Sequence, residues 1–268
     1  MNSETVIKTH HDAGFFSICN INLLTVMNYY INNQNFCRLD TSDQWNLYKD
    51  NTGDAYSYYF KYDHSQPKIT ASNYYLNSDT EIQFSNYKLI NYGFVNVFIK
   101  KYFTLSDQVL KIEQDLINKY NIVLDKIISI CYRGGDKKKE TNLPSYKEMS
   151  NKLQNIYANN LDYKIIIQSD EQEFCDYIQT IYPDNSIVFK EIKKISQNDS
   201  SAIQYHTQQG NKVSNAQTFL AIMSIMSKTK TIILNSGNVG MFICLFRGNA
   251  NNVYQYYSPI NSSNIFWY

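Results

Sequence analysis

Two rhythms of apolar residues alternate along the second half of the chain. Short continuous runs come first in each pair: Lys126–Tyr132 (KIISICY), Tyr163–Gln168 (YKIIIQ), Ser186–Phe189 and Thr229–Leu234 (TKTIIL). Runs of this length without polar interruption predict strands buried on both faces. Between them, apolar positions recur every three or four residues. Met149, Leu153 and Ile156 mark a helix over Ser145–Tyr157, and further helices are predicted over Glu171–Ile181, Asn215–Lys228 and Val239–Phe246, the last closed by Gly248. Glu171 and Glu173 place two acids in the first turn of the second helix, which suits its dipole. Strand and helix in alternation imply an α/β fold with a parallel sheet and right-handed crossovers.

The first half carries a weaker version of the same pattern. Thr5–Thr9 reads as a short strand, a turn with Gly14 follows, Ile18–Ile31 is helical with Leu23, Leu24, Met27 and Tyr30 on one side, and Phe36–Leu39 is the next strand. Phe94–Phe103 and Leu105–Tyr120 are predicted helices, the second striped by Val109, Ile112, Leu116 and Ile117. Asp40–Ser85, rich in Tyr, Asp and Asn, has no clear period.

Composition narrows the class. The 268 residues are 43% hydrophobic and 15% aromatic, enough for one large core or two modest ones and too sticky for a disordered chain. Lys+Arg number 25 and Asp+Glu 24, and this balance disfavours a nucleic-acid partner or an anionic membrane surface. Five scattered cysteines, with no CxxC pair, read as reduced thiols, and no metal site is expected. The longest apolar stretch, Phe219–Met226, is too short to span a bilayer, so a cytoplasmic location is expected. Arginine occurs only at 38, 133 and 247 in a lysine-rich chain, which makes each one informative.

Three polar clusters follow predicted strands, at the sheet edge where open α/β folds bind ligands. Arg133-Gly134-Gly135-Asp136-Lys137 offers a guanidinium, a lysine and closely approachable backbone, either a seat for a diphosphate or a solvated basic turn. Ser236-Gly237-Asn238 opens a helix and reads as an anion site or a plain N-cap. Ser169-Asp170 suits a sugar hydroxyl or caps the next helix. Their succession, each at a strand end, is more specific than any one of them.

In order and spacing these clusters resemble the GT-B fucosyltransferases that use GDP-fucose, the α1,6-/α1,2-fucosyltransferase and protein O-fucosyltransferase group. Cys131-Tyr132-Arg133-Gly134-Gly135-Asp136-Lys137 is similar to their His-x-Arg-x-x-Asp turn, with Cys131 in the histidine's place. Ser169-Asp170-Glu171 matches their second signature, and Asn235-Ser236-Gly237-Asn238-Val239-Gly240 their third. Ala13-Gly14-Phe15-Phe16-Ser17 looks like their N-terminal glycine loop, and Trp45–Tyr59, with Asn51, Gly53 and Asp54, like the insert that follows it.

The resemblance implies two facing Rossmann-like domains with a cleft between them: residues 1–123 on the acceptor side and 124–268 binding the nucleotide sugar. It implies a metal-independent inverting transfer, without a cofactor, from GDP-fucose to a glycan or glycoconjugate hydroxyl. Arg133 would hold the β-phosphate, Asp136 and Lys137 would fix that loop, and Ser236, Gly237 and Asn238 would face phosphate. Ser169 and Asp170 would lie near the nucleotide, with Gly14 and Phe15 opposite. Glu140 is the candidate base and Asp12 the second candidate. Helix 215–227 holds no carboxylate of the kind that reads guanine in some members. Another GDP- or UDP-sugar, or an inactive binding relative, is therefore the alternative. The aromatic tail ending Ile265-Phe266-Trp267-Tyr268 is expected to pack back across the first domain.

Overall fold

In chain order the elements of the computed structural model are β1 (Val6–Lys8), α1 (Phe15–Asn33), β2 (Arg38–Asp40), α2 (Tyr56–Tyr59), β3 (Phe60–Lys61), α3 (Tyr92–Tyr102), β4 (Thr104–Leu105) and α4 (Asp107–Lys119). They continue with β5 (Ile127–Tyr132), α5 (Tyr146–Tyr157), β6 (Lys164–Ser169), α6 (Gln172–Ile181), β7 (Ser186–Val188), α7 (Lys212–Lys228), β8 (Thr231–Asn235), α8 (Asn238–Arg247), β9 (Val253–Tyr257) and β10 (Phe266–Trp267). The structure describes residues 5–50, 53–65, 67, 69, 80–196, 211–258 and 266–268.

The main sheet has the order β10-β9-β8-β5-β6-β7, parallel except for β10. From β5 the chain steps outward through β6 to β7, then returns to lay β8 and β9 on the other side. The order therefore reverses between β5 and β8, and a crevice opens outside their carboxyl ends. All six residues of β5 are buried, which explains its uninterrupted apolar run. Ile128, Ile130, Tyr132, Ile165, Ile167 and Ile233 meet Met149 and Leu153 of α5 and Phe174 and Ile178 of α6 on one face. Ile127, Cys131, Ile166, Ile232 and Leu234 belong to a second cluster on the other face, which continues into the first half of the chain.

That first half is built around β1-α1-β2, a parallel pair in register from Val6↔Arg38 to Lys8↔Asp40, and a small antiparallel pair, β3 with β4. Its core is aromatic. Phe15 packs on Trp45, Tyr48, Tyr59 and Phe60, and Phe16 stacks on Phe242 of α8 with ring centroids 5.1 Å apart. Trp45 and Tyr59 are fully buried, so these aromatics of the unpatterned stretch serve the core. Asn51 lies outside the described residues.

One expectation is corrected. Phe266 and Trp267 pair with Tyr257 and Tyr256 on the outer edge of the main sheet and do not cross the first half. β10 closes the outer side of β9, and consecutive tyrosines of β9 supply rings for the tail: Tyr256 meets Trp267 at 5.3 Å and Tyr257 meets Phe266 at 5.8 Å. Ile265 lies outside the described residues. Among the described residues, no helix is long and apolar enough to cross a membrane.

Candidate functional site

A cleft of about 370 Å³ lies at the carboxyl ends of β5, β6 and β8. Its walls come from the whole chain: Gly14, Phe15 and Ser17 at the start of α1, Tyr48, Gln83, the loop after β5 with Arg133, Lys137 and Glu140, the end of β6 with Gln168, Ser169 and Asp170, Lys212 to Phe219 of α7, and Gly237 to Val239 at the start of α8. Three helices, α1, α7 and α8, thus open onto one space. None of them carries an acid in its first turn, whereas α4, α5 and α6 carry Asp107, Glu148 and Glu173 there. The positive ends of the three dipoles are left uncompensated and favour an anion.

Arg133 is held from both sides. Its backbone N–H donates to Asn235 Oδ1 at 2.9 Å, and Asn235 Nδ2 donates back to the Arg133 carbonyl at 3.1 Å, tying the ends of β5 and β8 together. Arg133 Nη1 meets Asp170 Oδ2 at 2.9 Å, and the side chain stays 20% exposed to the cleft. Asp170 also accepts from the Gly134 N–H at 3.0 Å. Its carboxylate is a positioning group: Oδ1 accepts the hydrogen bond, and Oδ2 is ion-paired but accepts none among the described residues.

Glu171 behaves differently from its sequence expectation. It is the N-cap of α6, fully buried, and its carboxylate turns back to the loop after β5. There it accepts from the Gly135 N–H at 3.0 Å and Tyr146 Oη at 2.5 Å, and pairs with Lys138 at 3.0 Å. Gly134 sits directly against it: a Cβ there would lie 2.2 Å from Glu171 Oε1. Close approach, not a tight turn, is what requires glycine at 134.

On the opposite side, Lys137 Nζ bonds Glu140 Oε2 at 2.5 Å and Gln83 Oε1 at 3.3 Å, and lies 5.6 Å from the centre of the Phe84 ring. Lysine 137 is buried, while the Glu140 side chain is 41% exposed and lines the cleft. Gly237 has φ 147°, a conformation that side chains disfavour, and it is clamped from the first half: its N–H meets the Gln83 carbonyl and Tyr87 Oη, both at 3.0 Å. The helix behind it, α8, has no side-chain cap.

The expected site residues divide accordingly. Arg133, Lys137, Glu140, Ser169, Asp170, Gly237, Asn238, Gly14 and Phe15 all line the cleft. Ser236 does not: its Oγ is buried toward β9, donating to the Tyr256 carbonyl at 3.2 Å and accepting from Gln255 Nε2 at 2.9 Å. The Gly237 N–H is likewise already engaged. The anion donors of this turn are therefore the first-turn amides of α8, from 238 onward. Asp12 also stands outside the lining, where both of its oxygens accept from Asn46. The Asp136 side chain lies outside the described residues. Ser169 Oγ accepts from the Glu171 N–H at 3.0 Å, the capping alternative. Phe15 contributes mainly core, and its N–H donates to Tyr48 Oη at 3.0 Å.

Sequence reading missed Tyr48, Gln83, Tyr87 and Gln168. Tyr48, Gln83 and Tyr87 lie in segments without periodicity or motif, and Gln168 was absorbed into its strand. Burial pushes the Tyr48 hydroxyl up to about 12 despite Arg133 nearby, so it stays protonated. Burial does the same to the Cys131 thiol, at about 12, so the residue standing in the place of the His-x-Arg-x-x-Asp histidine is neutral. Gln168 and Asn238 line the cleft, and their buried side-chain oxygens, Gln168 Oε1 and Asn238 Oδ1, have no hydrogen-bond partner among the described residues. Each costs about 1–3 kcal/mol in the free protein.

No family model matches the sequence, and no curated protein matches it. Solved structures do. The NodZ α-1,6-fucosyltransferase co-crystallized with GDP superposes with a TM-score of 0.57 at 10% identity, over 100% of this chain and 99% of that one. The same enzyme soaked with GDP-fucose gives 0.57 at 11%, over 99% of both chains. Fucosyltransferase NodZ from Bradyrhizobium gives 0.57 at 9%, over 100% of this chain and 99% of its own. The chain has the α/β fold of the GT-B fucosyltransferases, from end to end. At this identity the likeness is one of fold.

Proposed function

We propose that this chain is a glycosyltransferase that moves a sugar from a nucleoside diphosphate, with GDP-fucose as donor, to a hydroxyl of a glycan or glycoconjugate. The observation that carries the reading is the meeting of Arg133 with the uncapped N-terminus of α8 across one cleft, on a fold whose solved examples were crystallized with GDP and soaked with GDP-fucose. As the bond from C1 to the diphosphate breaks, negative charge grows on the leaving oxygens. Arg133, oriented by Asp170 and Asn235, and the first amides of α8 stand ready for that charge, with Lys137 beside them. The acceptor oxygen attacks C1 from the opposite face and gives its proton to Glu140, the exposed carboxylate of the cleft. In this reading no metal ion or cofactor takes part, residues 1–123 supply the acceptor side through α1 and Tyr48, and the enzyme works in the cytoplasm, where its five buried thiols stay reduced.

A second reading, another GDP- or UDP-sugar as donor, is favoured by α7, which brings Lys212, Asn215, Ala216 and Phe219 to the cleft and no carboxylate. Melting curves with GDP, UDP and GDP-fucose separate the two. The ligand that raises the melting temperature most names the base. Arg133→Ala is expected to lower kcat/KM by about 2–4 kcal/mol of transition-state stabilisation. Near-normal turnover in that variant would place the phosphate site elsewhere.

A further inference from the structure

We propose that Gln168 reads the nucleoside of the bound nucleotide, through a single hydrogen bond that its side-chain carbonyl accepts from the base. The inference rests on the diphosphate reading above and adds a direction to it: phosphates toward α8, base toward β6 and α7.

Gln168 is 4% exposed, lines the cleft, and its Oε1 has no partner among the described residues. The amide is not free to turn over. Its Nε2 donates to the Ser169 carbonyl at 3.2 Å, and a flipped amide would set two oxygens against each other there. Its orientation is thus fixed, with an acceptor unsatisfied. A diphosphate at neutral pH offers acceptors and no donors, so it cannot satisfy this oxygen. The donor has to come from another part of the ligand.

The surroundings say which part. Gln168 is the register partner of Cys131 on the neighbouring strand, and both line the cleft from the same sheet face. Beside them α7 presents Ala216 and the half-buried Phe219, whose ring packs 5.7 Å from that of Phe16. On this wall the Cys131 thiol keeps its proton, and Ala216 and Phe219 are apolar, with Lys212 and Asn215 on the same helix. A flat base with ring N–H groups, guanine or uracil, fits such a wall. Lys137 stands at the start of α8, its Cε 3.7 Å from where a Cβ on Gly237 would lie, and Arg133 pairs with Asp170 just past the end of β6. Both carboxylates of the lining already face a cation, Asp170 the Arg133 guanidinium and Glu140 the Lys137 ammonium.

The test measures calorimetric affinities of wild type, Gln168→Leu and Gln168→Met for GDP, UDP and inorganic pyrophosphate, together with the melting temperature of each ligand-free protein. Both variants remove the acceptor and keep the volume. They are expected to weaken the better-bound nucleotide about tenfold, to change pyrophosphate affinity less than about twofold, and to melt no lower than wild type, because the unsatisfied oxygen is gone. A role in the fold alone would instead lower the melting temperature. An equal loss for nucleotide and pyrophosphate, or no loss for either, overturns the assignment to Gln168 and leaves the diphosphate site standing. A wild type that binds neither overturns both.

Discussion

Gly134 and Glu171 show how much of this site hangs on single atoms. The loop after β5 lies so close to α6 that one added carbon at 134 meets a buried carboxylate at 2.2 Å. Gly134→Ala is expected to lower stability by about 1–3 kcal/mol, read from the urea midpoint, and to loosen the Lys138 pairing. An unchanged midpoint would mean that Glu171 swings aside without cost. In the sequence, the glycines and the arginine of this loop stand out because they directly follow a buried strand, with a solvated basic turn as the other reading. The task of Glu171 does not. Its partners, Gly135 and Tyr146, stand 36 and 25 residues away, and a local reading could only see an acid near a helix start.

At the scale of elements, legibility followed burial. Strands β5, β6 and β8 and the helices around them announce themselves because each is apolar on both faces or on one clean stripe. Where an element is short or fills gaps with tyrosine, as in residues 40–85 and in β9, the pattern fades and only tertiary partners define it. The helix starts carry a further distinction. Helix α5 begins with a complete capping box, Ser145 with Glu148, while α1 and α8 begin at glycines without side-chain caps. Ser145→Ala is expected to cost about 1 kcal/mol of stability and to leave nucleotide affinity unchanged, since α5 does not line the cleft. A matching loss of affinity, seen by calorimetry, would show that α5 reaches the site.

For the molecule as a whole, several surface carboxylates add to its acid sensitivity. Asp40 lies below the ordinary carboxylate value because Ser42 bonds to it, Asp63 because of Ser65, Asp43 because of Lys8, and Asp162 because of Lys126. A carboxylate depressed in the folded state stabilises that state above its ordinary range, and the contribution is lost as pH falls through the lowered values. The melting temperature is therefore expected to drop from about pH 4 downward. Salt should blunt the part due to the exposed pairs, Lys8 with Asp43 and Lys126 with Asp162. A flat melting profile down to pH 2.5 would contradict it.

The stack of Phe16 on Phe242 carries a last consequence. These rings join the first helix to the one that opens the proposed phosphate seat, and they belong to one oily mass running unbroken under the cleft. Enzymes that bite down on their substrate need a dry joint that slides or bends. Here the joint is a ring stack inside a shared core, so widening the slot is expected to disturb the same rings that help keep the chain folded.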